Sequence, residues 1–312
     1  MPHPRPFRFG VQFATASDGD AWRGLARKAE DLGFSSLFMP DHFGDQLAPV
    51  PALTAAADAT TTLKVGALVF DNDYKHPVVL AKEMATLDLL SGGRVEFGLG
   101  AGWMNTDYEQ SGIPQDRPGI RIARMTEGLE VIKGLWADGA FSYQGDHYTI
   151  TELDGLPKPV QRPGPPILIG GGGPKVLGIA ARYADIVGIN PSIPAGEIGP
   201  EAARDAASDR VDQKLEWLRD AAGDRFGDLE LNALVFVVNV TDDPEPVRDM
   251  MAGYFGVSKE LVAASPYVWI GSAAEIADQL RAARERWSIS YFVVQGDALD
   301  AAAPIVAELT GT

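Results

Sequence analysis

Cysteine is missing altogether from the 312 residues. The chain therefore forms neither disulfides nor thiolate metal sites, and a secreted disulfide scaffold is excluded. Histidine is scarce, at four residues, and acidic side chains outnumber basic ones by 43 to 27, for a net charge of -16. No stretch gathers the Lys and Arg that neutralising a phosphate backbone requires, so nucleic acids and anionic membrane surfaces are not the expected partners. Long hydrophobic runs are lacking too: no segment reaches the roughly eighteen apolar residues of a membrane span. The opening MPHPRPFRFGVQF has no apolar core after its charged residues, which reads as a cytoplasmic protein.

What is present is a composition 46% hydrophobic, enough for one large core and within the range of a single α/β barrel. Apolar runs and helical periodicities alternate. Phe7 to Phe13 reads as a strand, and Trp22, Leu25, Ala26, Ala29 and Leu32 fall at helical spacing until Gly33. Ser36 to Pro40 and Leu63 to Phe70 are further strands, separated by a helix from Ala52 to Thr60. A helix opens at Pro77, where the missing N–H costs nothing, and closes at Ser91-Gly92-Gly93. Arg94 to Gly100 is the next strand and Arg121 to Trp136 the next helix.

Ala140 to Ile150 reads as a hairpin around Gln144-Gly145-Asp146 and interrupts the alternation. Pro166 to Gly170 resumes as a buried strand, Pro174 starts a helix, and Ile186 to Ile189 is a short strand. The Pro, Gly and Ser content of 190–208 predicts a long loop and a candidate gate. A helix over Asp209 to Arg225, a strand over Glu230 to Val238 and a weaker helix over Pro246 to Ala264 follow. Ser272 to Glu275 is a capping box for a helix to Arg286, and Tyr291 to Gln295 is the last strand.

About eight strand–helix units whose strands are continuous apolar runs predict a parallel sheet buried on both faces and closed into a (β/α)8 barrel. We read residues 1–312 as one such domain with insertions at about 101–120, 140–165 and 190–208. The competing open, doubly wound sheet would carry G-x-G-x-x-G, but Trp103 and Lys175 stand where the third glycine of the two candidate runs belongs.

In a barrel the chemistry lies just after each strand. Asp41-His42 is such a place, and His42 is the one histidine at a strand end. The pair either pins a loop or supplies a proton donor and acceptor. Gly170, Gly171, Gly172 and Gly173 precede Pro174 and Lys175. They form either a tight turn or, with bare N–H groups ahead of a helix, a phosphate site to which Lys175 adds charge. Gly98, Gly100 and Gly102 are packing glycines or a surface for a flat ring, with Trp103 as a wall or as core. Asp107 and Glu109 offer a nearby carboxylate or simply a solvated loop face. No histidine or carboxylate set has metal-ligand spacing beside His42.

These segments in order, FMPDHF, VGALVF, HPVVLAKEMATLDLLSGGRVEFGLGAGW, EGLEVIKGLW, HYTI, PPILIGGGGPKVLGIAARYADIVGI and IGSAAEIADQLRAARE, resemble the luciferase-like monooxygenase superfamily and its deazaflavin-dependent branch. The resemblance implies a bacterial-luciferase-like TIM barrel, frequently a homodimer, and a small-molecule substrate. It implies coenzyme F420, or alternatively FMN, bound at the strand C-terminal ends. It also implies a non-proline cis peptide at Leu68-Val69 behind the ring, Asp41 and His42 facing it, Ala101 and Gly102 lining it, and Gly170 to Pro174 on its phosphate. Trp103 and Asp107 would then border the substrate. Sugar-phosphate dehydrogenases of the superfamily carry a glutamate at the position of Trp103, which argues against a sugar phosphate here.

Overall fold

The computed structural model describes residues 5–193, 196 and 199–312. The first half runs β1 (Arg8–Gln12), α1 (Gly19–Asp31), β2 (Ser36–Met39), α2 (Pro49–Ala59), β3 (Lys64–Ala67), β4 (Phe70–Asp71), α3 (Pro77–Ser91), β5 (Val95–Gly100), α4 (Asn105–Ser111) and α5 (Pro118–Trp136). Then come β6 (Ala140–Gln144), β7 (Thr149–Asp154), β8 (Ile167–Gly171), α6 (Pro174–Tyr183), β9 (Ile186–Ile189), α7 (Pro200–Asp205) and α8 (Ser208–Ala222). The last part is β10 (Glu230–Leu234), β11 (Val237–Val240), α9 (Glu245–Phe255), α10 (Lys259–Ala264), β12 (Val268–Gly271), α11 (Ala273–Trp287), β13 (Ile289–Gln295) and α12 (Leu299–Leu309).

The main sheet has the order β3-β2-β1-β13-β10-β9-β8-β5-β4, and β3 also pairs with β5, which closes it. Every pairing in it is parallel. With β4 continuing β3, this is an eight-stranded (β/α)8 barrel. Strand residues that face the helices, such as Val11, Leu37, Val65, Leu99, Ile169 and Phe292, belong to one core. Phe38, Leu68, Leu168, Ile186, Tyr291 and Val293 form a second cluster that fills the barrel interior.

The helix ends follow the local chemistry. Asp18 accepts the Ala21 N–H at 2.8 Å and starts α1, which buries Trp22, Ala26 and Ala29. Gly92 closes α3 in the left-handed conformation, as only a residue without Cβ does at little cost. Ser272 and Glu275 form the reciprocal capping box of α11.

Three expectations need correction, and one helix lies outside all of them. The strand expected over 230–238 breaks, because Val235 N–H still donates to Val293 in the barrel while Phe236 N–H donates to Tyr267 outside it. Beyond that switch, β11 pairs with β12 in a small parallel sheet of its own. The weak helix over 246–264 is two helices, split at Gly256 (φ 63) and restarted by the Ser258 cap. The expected loop over 190–208 contains α7; residues 194, 195, 197 and 198 of the candidate gate lie outside the described residues. Finally, α12 follows the last strand despite Pro304 within it. The hairpin is present as β6 and β7, antiparallel, and extends to Asp154.

At the N-terminal end of the barrel, Arg8 bonds Glu96 (2.6 Å) and both oxygens of Glu230 (2.7 and 2.6 Å), and Lys64 reaches Glu96 at 3.1 Å. The Tyr291 hydroxyl adds a bond of 3.0 Å to Glu96. Burial pushes the Glu96 carboxyl up, but Arg8 and Lys64 outweigh it and hold the group below its ordinary value. A cavity of about 610 Å³ opens beside this cluster. It lies at the stability end of the barrel rather than the catalytic end, and the charges of the Arg8 cluster pair with one another.

Candidate active site

At the C-terminal mouth, β2 ends one residue before Pro40, and Asp41 and His42 follow. Asp41 Oδ2 accepts the backbone N–H of Asp71 at 3.1 Å, tying the end of β2 to that of β4. Burial raises the Asp41 carboxyl above its ordinary value. His42 does not pair with Asp41. Its Nδ1 lies 2.6 Å from Asp107 Oδ2, and Asp107 also accepts the Phe43 N–H (3.1 Å) and the Tyr74 hydroxyl (2.9 Å).

Facing a carboxylate, Nδ1 is the donor of this bond, which leaves Nε2 as the ring nitrogen for proton exchange. Trp103 packs edge-on against the imidazole, with centroids 5.6 Å apart at 88°. Two contacts from different directions therefore fix the ring. Asp107 is not on a solvated face: it lies in α4 and is only 4% exposed. It holds His42 from behind rather than presenting a free carboxylate to a substrate.

The Leu68-Val69 peptide is cis, and Gln12 Nε2 donates to the Leu68 carbonyl at 2.9 Å. Two glycines of β5 answer to close packing. A Cβ on Gly98 would sit 2.0 Å from the Ala67 backbone carbonyl oxygen and 3.1 Å from a Val69 methyl, and one on Gly100 would sit 2.6 Å from the other Val69 methyl. Gly98 therefore admits the neighbouring backbone and Gly100 the Val69 side chain, which favours the packing reading of both over the ring surface. At Gly102 the backbone has φ +74, and a Cβ would lie 1.9 Å from the Tyr108 hydroxyl and 2.4 Å from Asp71 Oδ2. Nothing larger fits there.

Beneath Gly102 lies a polar cluster. The Tyr108 hydroxyl is 3.1 Å from Asp71 and 3.1 Å from Asp73, and Arg121 donates to it (3.3 Å) and to the Ala101 carbonyl (3.2 Å). Arg124 pairs with Asp73 at 2.9 Å. Burial, aided by the Asp73 charge, pushes the Asp71 carboxyl up to about 7. Ala101 and Gly102 are thus held from below by this cluster.

The glycine run after β8 is built for close approach. A Cβ on Gly172 would come within 2.5 Å of Ser192 N and 2.6 Å of the Asn190 carbonyl, and one on Gly171 within 2.5 Å of Val176. Gly173, by contrast, faces open space and caps α6 without any side chain, with Pro174 at the first helical position. The first-turn N–H groups of α6 are left for an anion. Lys175 is exposed, its Nζ 4.0 Å from the Cβ position of Gly119 at the start of α5. Gly171 and Gly172 thus pack against the chain's own atoms, and what fits a phosphate-bearing cofactor is the open Gly173, the uncapped N–H groups after it and the Lys175 ammonium.

The barrel thus brings Asp41, His42, Leu68, Val69, Ala101, Gly102, Trp103 and Gly170 to Lys175 to one end. Sequence reasoning missed Tyr74, the Asp107–His42 bond and the cluster of Asp71, Asp73, Tyr108, Arg121 and Arg124. Tyr108 had a signal in its helical position just after the glycine-rich strand end, but nothing local joins Asp107 to a histidine 65 positions earlier. Among the described residues no group of three or more histidine and carboxylate side chains is arranged to hold a metal, and no helix is long and apolar enough to cross a membrane.

A profile of the luciferase-like monooxygenases matches residues 5–287. The chain belongs to that family. It is 32% identical over 181 residues to an FMNH2-dependent dimethylsulfone monooxygenase of Pseudomonas putida, a stretch covering 56% of this chain and 50% of the relative. It is 33% identical over 187 residues to a 5,10-methylenetetrahydromethanopterin reductase of Archaeoglobus fulgidus, covering 60% and 54%. The chain spans about half the length of these curated relatives. The structure of a coenzyme F420-dependent tetrahydromethanopterin reductase from Methanopyrus kandleri superposes with a TM-score of 0.75 at 19% identity, covering 98% of this chain and 100% of that one. At that identity the likeness speaks for the fold.

Proposed function

We propose that the chain is an oxidoreductase that holds coenzyme F420 at the barrel mouth and exchanges a hydride with a small organic substrate. The observation that carries this is the His42–Asp107 dyad at the same strand ends as the uncapped Gly173–Lys175 turn: a proton acceptor and an anion cradle on one mouth. When bound, a deazaflavin supplies a two-electron hydride centre that does not activate dioxygen.

The chain's own residues do the rest. A substrate carbon that loses a hydride releases a proton from its adjacent heteroatom, and Nε2 of His42 is placed to take it; in the reverse direction it returns it. Asp107 and Tyr74 keep the imidazole in the useful tautomer. Gly170 to Pro174 and Lys175 bind and orient the phosphate, and Val69 backs the site. FMN with a monooxygenase reaction is the second reading, favoured by the likeness to the FMNH2-dependent relative.

Titrating the purified chain with F420 and with FMN, followed by absorbance, tests both readings. Saturable F420 binding that weakens in Lys175→Glu and Gly173→Val supports the first, and FMN binding alone supports the second. His42→Ala separates an enzyme from a mere cofactor carrier: cofactor affinity holds and turnover is lost. Binding of neither cofactor overturns the proposal.

A further inference from the structure

The inward faces of β8, β9 and β10 near the mouth carry glycines and amides where a barrel interior ordinarily packs branched aliphatics. Gly170 and Gly188 are partners in register. The Cβ position of Gly188 lies 3.1 Å from Gly170 Cα, 3.6 Å from Asn190 Nδ2 and 3.7 Å from Asn232 Oδ1. The Gly170 Cβ position lies 2.7 Å from Asn190 Nδ2, so the Asn190 amide stands over Gly170, and both amides lie beside Gly188.

Asn232 is wholly buried, at 0% exposure, and its Nδ2 donates to the Tyr291 carbonyl at 3.2 Å, which fixes the direction of its oxygen. The side-chain oxygens of Asn190 and Asn232 are both buried and, among the described residues, accept no hydrogen bond. A buried amide oxygen is destabilising until a donor meets it. Asn190 is half-buried and follows β9, whereas Asn232 is fully buried within β10, so one unmet oxygen stands nearer the mouth and the other deeper in the barrel.

We propose that Asn190 and Asn232 form a subsite that reads the substrate: it takes a hydrogen-bond donor, a hydroxyl or an N–H, of a small organic molecule and disfavours an equally sized molecule that only accepts. This rests on the proposed function for the molecule being a substrate, but not for its binding. Neither asparagine touches the His42–Asp107 dyad, so the pair sets specificity rather than proton transfer.

The test is an NMR saturation-transfer titration of the cofactor-free protein with 2-propanol and with acetone, matched in size and differing in the donor. The wild-type chain is expected to bind 2-propanol about tenfold more tightly, as one net hydrogen bond provides. Asn232→Leu, similar in volume, should remove the preference. Asn190→Ala, nearer the mouth, should reduce it and serves if the buried variant fails to fold.

Equal binding of both probes by the wild type overturns the subsite, as does an unchanged preference in both variants. F420 and FMN titrations of the same samples keep the two proposals apart. Cofactor binding without probe preference sinks the subsite alone, and preference without cofactor binding sinks the proposed function alone. A loss of cofactor affinity in Asn232→Leu with the preference intact would assign the amides to the cofactor and overturn the substrate role.

Discussion

Asp107→Asn isolates the group that sets the protonation pattern of His42. In the native arrangement Asp107 Oδ2 faces two donors, the imidazole Nδ1–H at 2.6 Å and the Tyr74 hydroxyl at 2.9 Å, while Oδ1 meets the Phe43 N–H at 3.1 Å. An asparagine keeps its oxygen on Phe43 and turns its two N–H groups towards His42 and Tyr74. Those bonds re-form only with reversed polarity: Nδ1 becomes the acceptor, and the proton moves to Nε2. Charge-assisted bonds of about 1.5–3 kcal/mol are replaced by neutral ones of about 0.5–1.5 kcal/mol, so the variant should lose on the order of 1–2 kcal/mol of stability.

The functional loss should be far larger. Nε2 can no longer accept a proton, which removes the roughly 10²- to 10⁴-fold that a positioned general base contributes. The ¹⁵N chemical shifts of the histidine side chain report the tautomer directly and need no substrate, and denaturant titration gives the stability change. Expected are a protonated Nε2, a small stability loss and cofactor affinity as in the wild type. A His42 that keeps its proton on Nδ1 in Asp107→Asn would refute the reasoning from geometry to role.

Other perturbations test the surroundings. The Asp71 carboxyl is pushed up to about 7 from 3.8, so the folded chain holds that proton to higher pH than the unfolded one. Its contribution to stability is therefore complete below about pH 4 and is lost as pH rises to about 7, by on the order of 4 kcal/mol at most. Urea titrations of Asp71→Asn between pH 4 and 8 should show a flatter pH dependence than the wild type, and parallel curves would contradict it. Glu96→Ala leaves Lys64 without its carboxylate and strips one from Arg8, and should cost about 3–5 kcal/mol in denaturant titration. Ser272→Ala removes half of the α11 capping box and should cost about 1 kcal/mol, read as a lowered urea midpoint.

The barrel was legible because its strands are continuous apolar runs and because helix signals such as Pro77, Pro174 and the Ser272 cap are local. The change of partner between Val235 and Phe236 left no trace in the sequence: 230–238 reads as one apolar run, and which neighbour each N–H meets is decided by distant strands. α12 forms although propensity argues against a proline inside a helix, because packing of Ile305, Val306 and Leu309 against the core prevails over Pro304. In the site, glycine and strand-end positions pointed to the mouth. The partner of His42 did not, because a hydrogen bond between side chains on β2 and α4 has no spacing rule. Of the two readings of the β5 glycines, packing is the one the structure favours: Gly98 answers to the Ala67 backbone and Gly100 to Val69.

That last relation decides how the mouth can be reshaped. Because Gly100 is filled by the Val69 side chain, trimming Val69 frees volume there, whereas Gly98 faces the Ala67 backbone and stays closed whatever stands at 69. In a library aimed at bulkier substrates, Gly98 is best held constant. A larger side chain at Gly100 becomes admissible only in combination with a smaller one at 69, so those two positions should behave as one coupled unit under selection.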